Sequence, residues 1–153
     1  MKTNQIYDIL GKQDSCTSPY FLGVFPSDKL PPPVLNKQFI VCNLDGHKLK
    51  GSHWICIYLE KQLNGYKGEY FDSFARYPRV RNIENYLNAN CISWVWNNQP
   101  VQNIFSDTCG HHVIYFLAKR CRGFSMQSIV SQLQVNPDYT VYNFVLEHYL
   151  IRK

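Results

Sequence analysis

The sequence predicts an α+β fold in which helices pack on one central mixed β-sheet. Segments of strand character occupy the middle of the chain, whereas segments with helical spacing lie at its beginning and in its second half. Segregated strands and helices of this kind are typical of α+β domains. The 153 residues contain no repeat, low-complexity segment or linker, and this length suits one compact unit. We therefore expect residues 1–153 to form a single domain.

The N-terminal region predicts one short helix followed by irregular structure. Apolar residues recur at helical spacing between residues 3 and 10, and Gly11 is typical of a helix end. Residues 15–34 contain five prolines. Proline lacks a backbone N–H group and restricts its neighbours, so regular structure is not expected there.

The middle of the chain predicts a sheet. Three runs rich in β-branched and aromatic residues are bounded by turn residues, namely 38–44, 53–60 and 68–74. Asn64-Gly65 lies between the second and third runs and favours a hairpin. A helical pattern then covers residues 79–90, and residues 91–96 return to strand character.

Three helices are predicted to close the chain. A polar loop ending at Thr108 leads directly into the apolar stretch CGHHVIYFL, which predicts a helix that begins at Cys109. Ser125 is a typical N-cap for the next helix, over residues 125–134. Pro137 suits the first position of the last helix, over residues 137–153.

The composition indicates a globular chain that acts inside cells. The longest uninterrupted apolar run, residues 113–118, is far too short to cross a bilayer, and the N-terminus lacks the apolar centre of a secretory signal. The six cysteines are scattered without a CxxC pair, which argues against a zinc ribbon or a thioredoxin motif. We expect most of them to be free thiols and the protein not to be secreted.

Basic residues exceed acidic ones and give a net charge of +5. They group at Lys48, Lys50, Arg76, Arg79 and Arg81, and again at Lys119, Arg120 and Arg122. Such an excess is typical of a solvated cationic surface. It also suits a polyanionic partner, for which nucleic acid is the obvious candidate. Both interpretations stay open at this point.

Cys109 is the residue best placed to carry chemistry. At a helix N-terminus, the backbone N–H groups and the positive end of the macrodipole favour the thiolate, which is the nucleophilic form. Gly110 would keep the approach to the sulfur open. The alternatives are a small buried structural cysteine and a zinc site with His111 and His112. That zinc site has no fourth ligand at a familiar spacing.

A thiol nucleophile needs a base, and His53 is the favoured candidate. It begins a strand, where the end of the sheet holds a side chain firmly while leaving it reachable. His111 and His112 share the helix of Cys109, so local geometry turns at least one of them away from the sulfur.

The base in turn needs an acceptor for its second ring nitrogen. Asp72 ends the strand 68–72, and a hairpin with the strand 53–60 would bring it beside His53 at one sheet edge. Glu69 is the competing carboxylate, because the strand register is not fixed by sequence.

Acyl transfer also requires donors aimed at the developing oxyanion. Gln102, seven residues before Cys109, is the candidate side-chain donor, beside the backbone N–H of Cys109. Gln99 is the alternative.

These residues occur in the order of a known family. GSHW (51–54), YFDSF (70–74) and Gln102 followed by Cys109-Gly110 resemble adenain, the adenovirus maturation protease, and the wider fold it shares with ubiquitin-like-protein proteases. SPYFLG (18–23), Val101-Gln102 and Cys91-Ile92 also resemble adenain segments, so the resemblance covers residues 18 to about 121. The Asp in FDSF matches the ubiquitin-like-protein proteases, since adenain has Glu there.

The resemblance implies an adenain-like or papain-like cysteine protease fold, with the nucleophile at the N-terminus of a central helix. It makes Cys109 the nucleophile, His53 the general base, Asp72 its orienter, and Gln102 with the Cys109 amide the oxyanion donors. It places Trp54 over or near the imidazole. No cofactor or metal is required for the chemistry, but the resemblance implies an activating peptide, joined by a disulfide to Cys91, and DNA.

The prediction that follows is a viral or virus-like cysteine endopeptidase that processes capsid or core precursor proteins through a thioester intermediate. We expect a monomer, in the virion and in the nucleus or cytoplasm of the host cell, with no membrane partner. The alternative is an isopeptidase that acts on ubiquitin-like modifiers. That activity would need a broad docking surface and a narrow tunnel for a Gly-Gly tail.

Overall fold

The computed structural model describes residues 1–44, 53–103 and 106–151. In chain order the described elements are α1 (Thr3–Asp8), a π-helical turn (Ile9–Gln13), β1 (Phe21–Pro26), β2 (Lys37–Asn43), β3 (Trp54–Gln62), β4 (Gly65–Phe71), α2 (Arg81–Asn90), β5 (Cys91–Trp96), α3 (Cys109–Cys121), α4 (Met126–Gln132) and α5 (Pro137–His148).

The strands form one five-stranded sheet in chain order, β1 to β5. β3 is antiparallel to both β2 and β4, whereas β1 is parallel to β2 and β5 is parallel to β4. The predicted α+β fold with a central mixed sheet is confirmed.

Both faces of the sheet are covered. One core lies between the sheet and the helices α1, α3, α4 and α5, and the other lies between the sheet and α2. Along β3, Cys56 and Tyr58 face the first core, while Ile55 and Ile57 face the second. Burial on both faces explains why the first two thirds of β3 read as a continuous apolar run rather than as an alternating one.

Helix α3 is the central helix of the larger core. Ten of its thirteen residues are buried, and Phe116 stacks on Phe71 of β4 with ring centroids 4.4 Å apart. None of the helices in the described ranges combines the length and the apolar character that a bilayer crossing requires.

Several predicted boundaries were wrong in the N-terminal third. Residues 21–26, predicted to be irregular, form β1 at the edge of the sheet. Proline is tolerated at a strand end and on an edge strand, so Pro26 does not prevent this strand. The first helix also does not stop at Gly11, because the π-helical turn continues to Gln13.

Other elements differ by a few residues. The turn of the β3–β4 hairpin is Leu63-Asn64, one residue earlier than predicted, and Gly65 pairs with Gln62 at a φ of 141° that favours glycine. The last helix ends at His148 rather than at residue 153. Ser125 caps α4 as predicted, since its side chain accepts a hydrogen bond from the Ser128 N–H group.

Candidate active site

The structure brings His53 and Asp72 together at one end of the sheet. His53 directly precedes β3 and Asp72 directly follows β4, and these strands are antiparallel. The His53 Nε2 atom lies 2.6 Å from Asp72 Oδ1, and both residues are buried. This is the pair that the hairpin argument predicted. Gly51 and Ser52, the first half of the GSHW motif, lie outside the described residues.

Cys109 contacts the His53 imidazole from the start of α3. It is the first residue of α3, and its sulfur shares a hydrogen bond with the His53 imidazole. Burial opposes ionisation, but this bond and bonds to the backbone of Trp54 and Gly110 hold the pKa of Cys109 below its ordinary value. The N-terminal end of the helix dipole acts in the same direction.

The pKa of His53 is shifted in the complementary direction. Burial lowers it, but the hydrogen bonds to Asp72 and Cys109 and their charges outweigh burial and raise the pKa to about 9. An elevated imidazole pKa beside a depressed thiol pKa favours a thiolate–imidazolium pair at neutral pH. Both shifts act toward an ionised Cys109 thiol in direct contact with a protonated His53 ring.

Asp72 is held by Asn97, a residue that no sequence pattern selects. The side chain of Asn97, just after β5, accepts from the Asp72 N–H at 2.9 Å and donates to the Asp72 carbonyl at 2.6 Å. Both residues are buried. Asn97 thus holds the backbone of the carboxylate that orients His53.

The competing carboxylate is engaged elsewhere. Glu69 pairs across the sheet with Tyr58 and accepts two hydrogen bonds from Arg120, at 2.9 and 3.0 Å. The geometry therefore favours Asp72 over Glu69 as the partner of His53.

Gln102 lies beside the turn that follows Asp72 in the chain, where it contacts Ser73. Its Oε1 atom accepts from the Ser73 hydroxyl, and its Nε2 atom donates to the carbonyl and hydroxyl oxygens of Ser106, at 3.0 and 3.2 Å. Gln102 is buried, whereas Gln99 is exposed and bonds to Gln134. Burial next to the acid-bearing turn favours Gln102 over Gln99 as the candidate oxyanion donor.

The two other histidines near the nucleophile have different surroundings. His112 is fully buried, and its Nε2 atom lies 3.0 Å from Asp138 Oδ1. Burial lowers the pKa of His112 and lowers that of His111 to about 4. His111 packs against the ring of Tyr142. Across the three described ranges, no group of three or more His, Cys, Asp or Glu side chains is arranged to hold a metal ion.

The aromatic ring stacked on the imidazole is that of Phe74, not of Trp54. The His53 and Phe74 rings are 4.7 Å apart and nearly parallel, with an interplanar angle of 23°. Trp54 instead donates its indole N–H to the Met1 carbonyl at 3.3 Å. Met1 also packs against Gly110, whose position the sequence had suggested would be open.

Cys91 lies at the start of β5, far along the sheet from the residues above. It is half-buried and pairs with Tyr66 of β4. Burial raises the pKa of its thiol to about 11. The thiol is therefore mostly protonated at neutral pH.

The basic residues of the two groups differ in their contacts, and Lys119 lies over the ring of Phe124. Arg120 and Arg122 form ion pairs with Glu69 and Asp14. Arg76, Arg79 and Arg81, which follow Asp72 in the chain, are exposed. Lys48 and Lys50 lie outside the described residues.

Comparisons with known proteins bear on the fold. No family model matches this sequence, and neither does any curated protein. The ASFV pS273R protease, as a selenomethionine crystal structure, aligns with a TM-score of 0.53 and 21% identity over 76% of this chain and 45% of that chain. A second crystal structure of that protease gives 0.50 and 20% over 76% and 44%. The SUMO protease Ulp1, with its catalytic cysteine oxidised to a sulfonic acid, gives 0.40 and 16% over 72% and 55%.

This chain therefore spans less than half the length of the ASFV protease. At 20–21% identity the alignments with the ASFV protease show a shared fold, so the resemblance in fold to a protease predicted from the sequence is confirmed. The ASFV neighbour is named a protease, and Ulp1 is named a SUMO protease with a catalytic cysteine.

Proposed function

We propose that this protein is a cysteine endopeptidase. The observation that carries the proposal is the buried chain of contacts Asp72–His53–Cys109, in which one imidazole binds a carboxylate and a sulfur at the start of a helix. A thiol, an imidazole and an orienting acid in mutual contact are the parts that thiol acyl transfer requires.

The Cys109 thiolate would attack the scissile carbonyl carbon and form a carbon–sulfur bond. The His53 imidazolium would give its proton to the leaving amine as the carbon–nitrogen bond breaks, which leaves a thioester and a neutral imidazole. His53 would then take a proton from water, whose oxygen attacks the thioester and releases the Cys109 thiolate. Asp72 keeps the ring in place through both steps.

The oxyanion formed in each step needs donors. We propose the side-chain amide of Gln102 and the backbone N–H of Cys109 for this role. An amide nitrogen carries two hydrogen atoms. Gln102 can therefore keep one of its two bonds to Ser106 and give up the other to donate to the oxyanion.

For the substrates, we propose viral or virus-like capsid or core precursor proteins, in the virion and in the host-cell interior, with the enzyme acting as a monomer. The support is the likeness in fold to a protease of ASFV together with the sequence resemblance to adenain. The test is cleavage of two panels, capsid precursors and conjugates of ubiquitin-like modifiers. Cleavage of the conjugates alone would replace this proposal by the isopeptidase.

For the partners, we propose DNA on the exposed guanidinium groups of Arg76, Arg79 and Arg81, which lie in the segment after Asp72. We also propose an activating peptide joined to Cys91 by a disulfide. The elevated thiol pKa makes this bond slow to form. A mass gain that is lost on reduction and absent in Cys91→Ser would support it, and full activity of the reduced protein without any peptide would contradict it.

The protease proposal itself is tested by an active-site probe. A peptidyl acyloxymethyl ketone should label Cys109 in the wild-type protein, and Cys109→Ala should abolish both labelling and cleavage. Cys16→Ala is the control, since Cys16 is a half-buried thiol that forms no disulfide and lies outside the site. Equal labelling of several cysteines would contradict an activated nucleophile.

A further inference from the structure

One residue outside the predicted set touches both members of the acid–base pair. The ring of Phe74 stacks on the His53 imidazole at 4.7 Å. The backbone N–H of Phe74 donates at 2.8 Å to Asp72 Oδ1, the same oxygen that lies 2.6 Å from His53 Nε2. Phe74 is therefore in contact with the base through its ring and with the acid through its backbone.

The turn that carries Phe74 is fixed by its own hydrogen bonds. The N–H of Ala75 donates to the Asp72 carbonyl at 2.7 Å, which closes a tight turn. Ala75 has a φ of 59°, a left-handed conformation that is uncommon for residues other than glycine. The Ser73 carbonyl accepts the N–H groups of Val101 and Gln102, at 2.9 and 3.0 Å. The backbone thus directs the ring of Phe74 back over the imidazole.

A third side chain lies over the same ring. The guanidinium carbon of Arg76 is 5.1 Å from the centroid of Phe74. A cation over an aromatic face is attracted to it. The Phe74 ring is thereby restrained by the turn, by Arg76 and by the imidazole itself.

The chemistry makes this restraint consequential. The imidazole must bind Asp72 through one nitrogen and Cys109 through the other at the same time, and rotation about the bond that joins the ring to Cβ breaks both contacts. Such terminal torsions have broad, soft preferences. A parallel aromatic neighbour resists the rotation because it leaves no space for the ring to turn, and because the stacked pair is itself favourable.

We propose that Phe74 is a positioning residue of this site, whose ring holds His53 in the one orientation that bonds Asp72 and Cys109 together. The inference rests on the proposed function, since it concerns the same ion pair. Phe74 touches no reacting atom and acts through the imidazole.

The experiment measures alkylation of Cys109 against pH, with iodoacetamide and mass spectrometry of the Cys109 peptide, and so needs no substrate. Phe74→Leu keeps an apolar side chain but removes the aromatic face, and Phe74→Tyr keeps the face. We expect Phe74→Leu to react roughly three- to tenfold more slowly at pH 6 and to approach the wild-type rate near pH 10, where any exposed thiol ionises. Phe74→Tyr should stay within about twofold of wild type.

The chain offers a matched control. Phe144 stacks on His148 with centroids 4.4 Å apart and an interplanar angle of 29°, which is nearly the same arrangement away from Cys109. Phe144→Leu should leave the alkylation profile of Cys109 unchanged. Thermal unfolding of every variant checks that the fold is retained.

The outcomes separate the two proposals. A wild-type Cys109 that reacts at pH 6 no faster than a free thiol refutes the protease itself. If wild-type Cys109 is activated and folded Phe74→Leu shows the same alkylation rate at every pH, the positioning role alone is refuted. A slowing by the same factor at every pH, including pH 10, also refutes it, because access to the sulfur would then have changed rather than its ionisation.

Discussion

Replacing Asp72 by Asn isolates the electrostatic part of the proposed mechanism. The amide has the shape of the carboxylate, and its oxygen can still accept from His53 and from the Phe74 N–H. The second carboxylate oxygen, Oδ2, is buried and has no hydrogen-bond partner within the described part of the chain. The amide nitrogen can therefore take that place without displacing another donor, and the fold should survive.

The magnitude follows from the pKa of His53. Burial lowers it, and the bonds and charges of Asp72 and Cys109 raise it from 6.5 to about 9, a difference that corresponds to about 3 kcal/mol. The Asp72 carboxylate supplies the larger part, so its removal should bring the pKa of His53 back toward 6.5 or below. The population of thiolate–imidazolium pairs at pH 7 should then fall by as much as ~10²-fold.

The sign of the pH dependence is definite. In the wild-type protein, the acid limit of the ion pair is ionisation of the Cys109 thiol, which occurs at a lower pH than for an ordinary thiol. The alkaline limit is the loss of the His53 proton, as pH rises through about 9. In Asp72→Asn, the alkaline limit of the cleavage profile should move down and thiolate formation should move up. The two limits then overlap, and little active form remains at any pH.

Two measurements check this prediction. Long-range ¹H–¹⁵N correlation spectra report the protonation of each His53 nitrogen against pH, and alkylation of Cys109 reports the thiolate. Glu69→Gln is the control, because it removes a carboxylate that binds Arg120 rather than His53. If His53 still titrates near pH 9 in Asp72→Asn, the carboxylate charge is not what holds its proton, and the electrostatic argument fails.

Four further outcomes are expected. Cys109→Ala should abolish cleavage of any substrate while leaving the fold intact, and residual turnover would move the nucleophile elsewhere. Gln102→Ala should lower kcat by roughly 10²–10³ with little effect on KM, and full activity would shift the oxyanion role to Gln99. Asn97→Ala should cost about 1–3 kcal/mol in the free energy of unfolding, because it leaves the buried N–H group of Asp72 without its partner, while the Asp72 carbonyl keeps its bond from Ala75; an unchanged denaturation midpoint would contradict this role of Asn97. Stimulation of cleavage by DNA should fall steeply between 50 and 200 mM salt, as counterion release requires, and a flat response would remove DNA as a partner.

Site contacts that are local in the chain could be predicted from the sequence, whereas those that depend on the order of the strands could not. The pairing of His53 with Asp72 follows from one hairpin, and the start of α3 at Cys109 follows from a local change in polarity. Asn97 reaches Asp72 only because β5 lies parallel to β4. No periodic pattern reports such a pairing. The stacking of Phe74 on His53 could not be predicted either, since it depends on the left-handed turn at Ala75.

The hydrogen bonds of Ser73 join two parts of the site that the sequence treated separately. Its hydroxyl donates to the Gln102 side chain, and its carbonyl accepts the Gln102 backbone N–H. The acid-bearing turn and the loop of the oxyanion donor are therefore tied together.

The segment that joins Gln102 to α3 is also hydrogen-bonded to α5. Asp138 of α5 accepts from the Asn103 N–H at 3.1 Å and from the hydroxyl of Thr108, the residue before the nucleophile, at 2.7 Å. Its Oδ1 atom also lies 3.0 Å from the fully buried His112. Donors lower a barrier only when they need no reorganisation during the reaction. Loops would ordinarily supply that rigidity poorly. Here the bonds of Ser73 and Asp138 fix the segment between Gln102 and Thr108 to the sheet end and to α5. The proposed Gln102 donor can therefore be held in place although it lies outside any helix or strand.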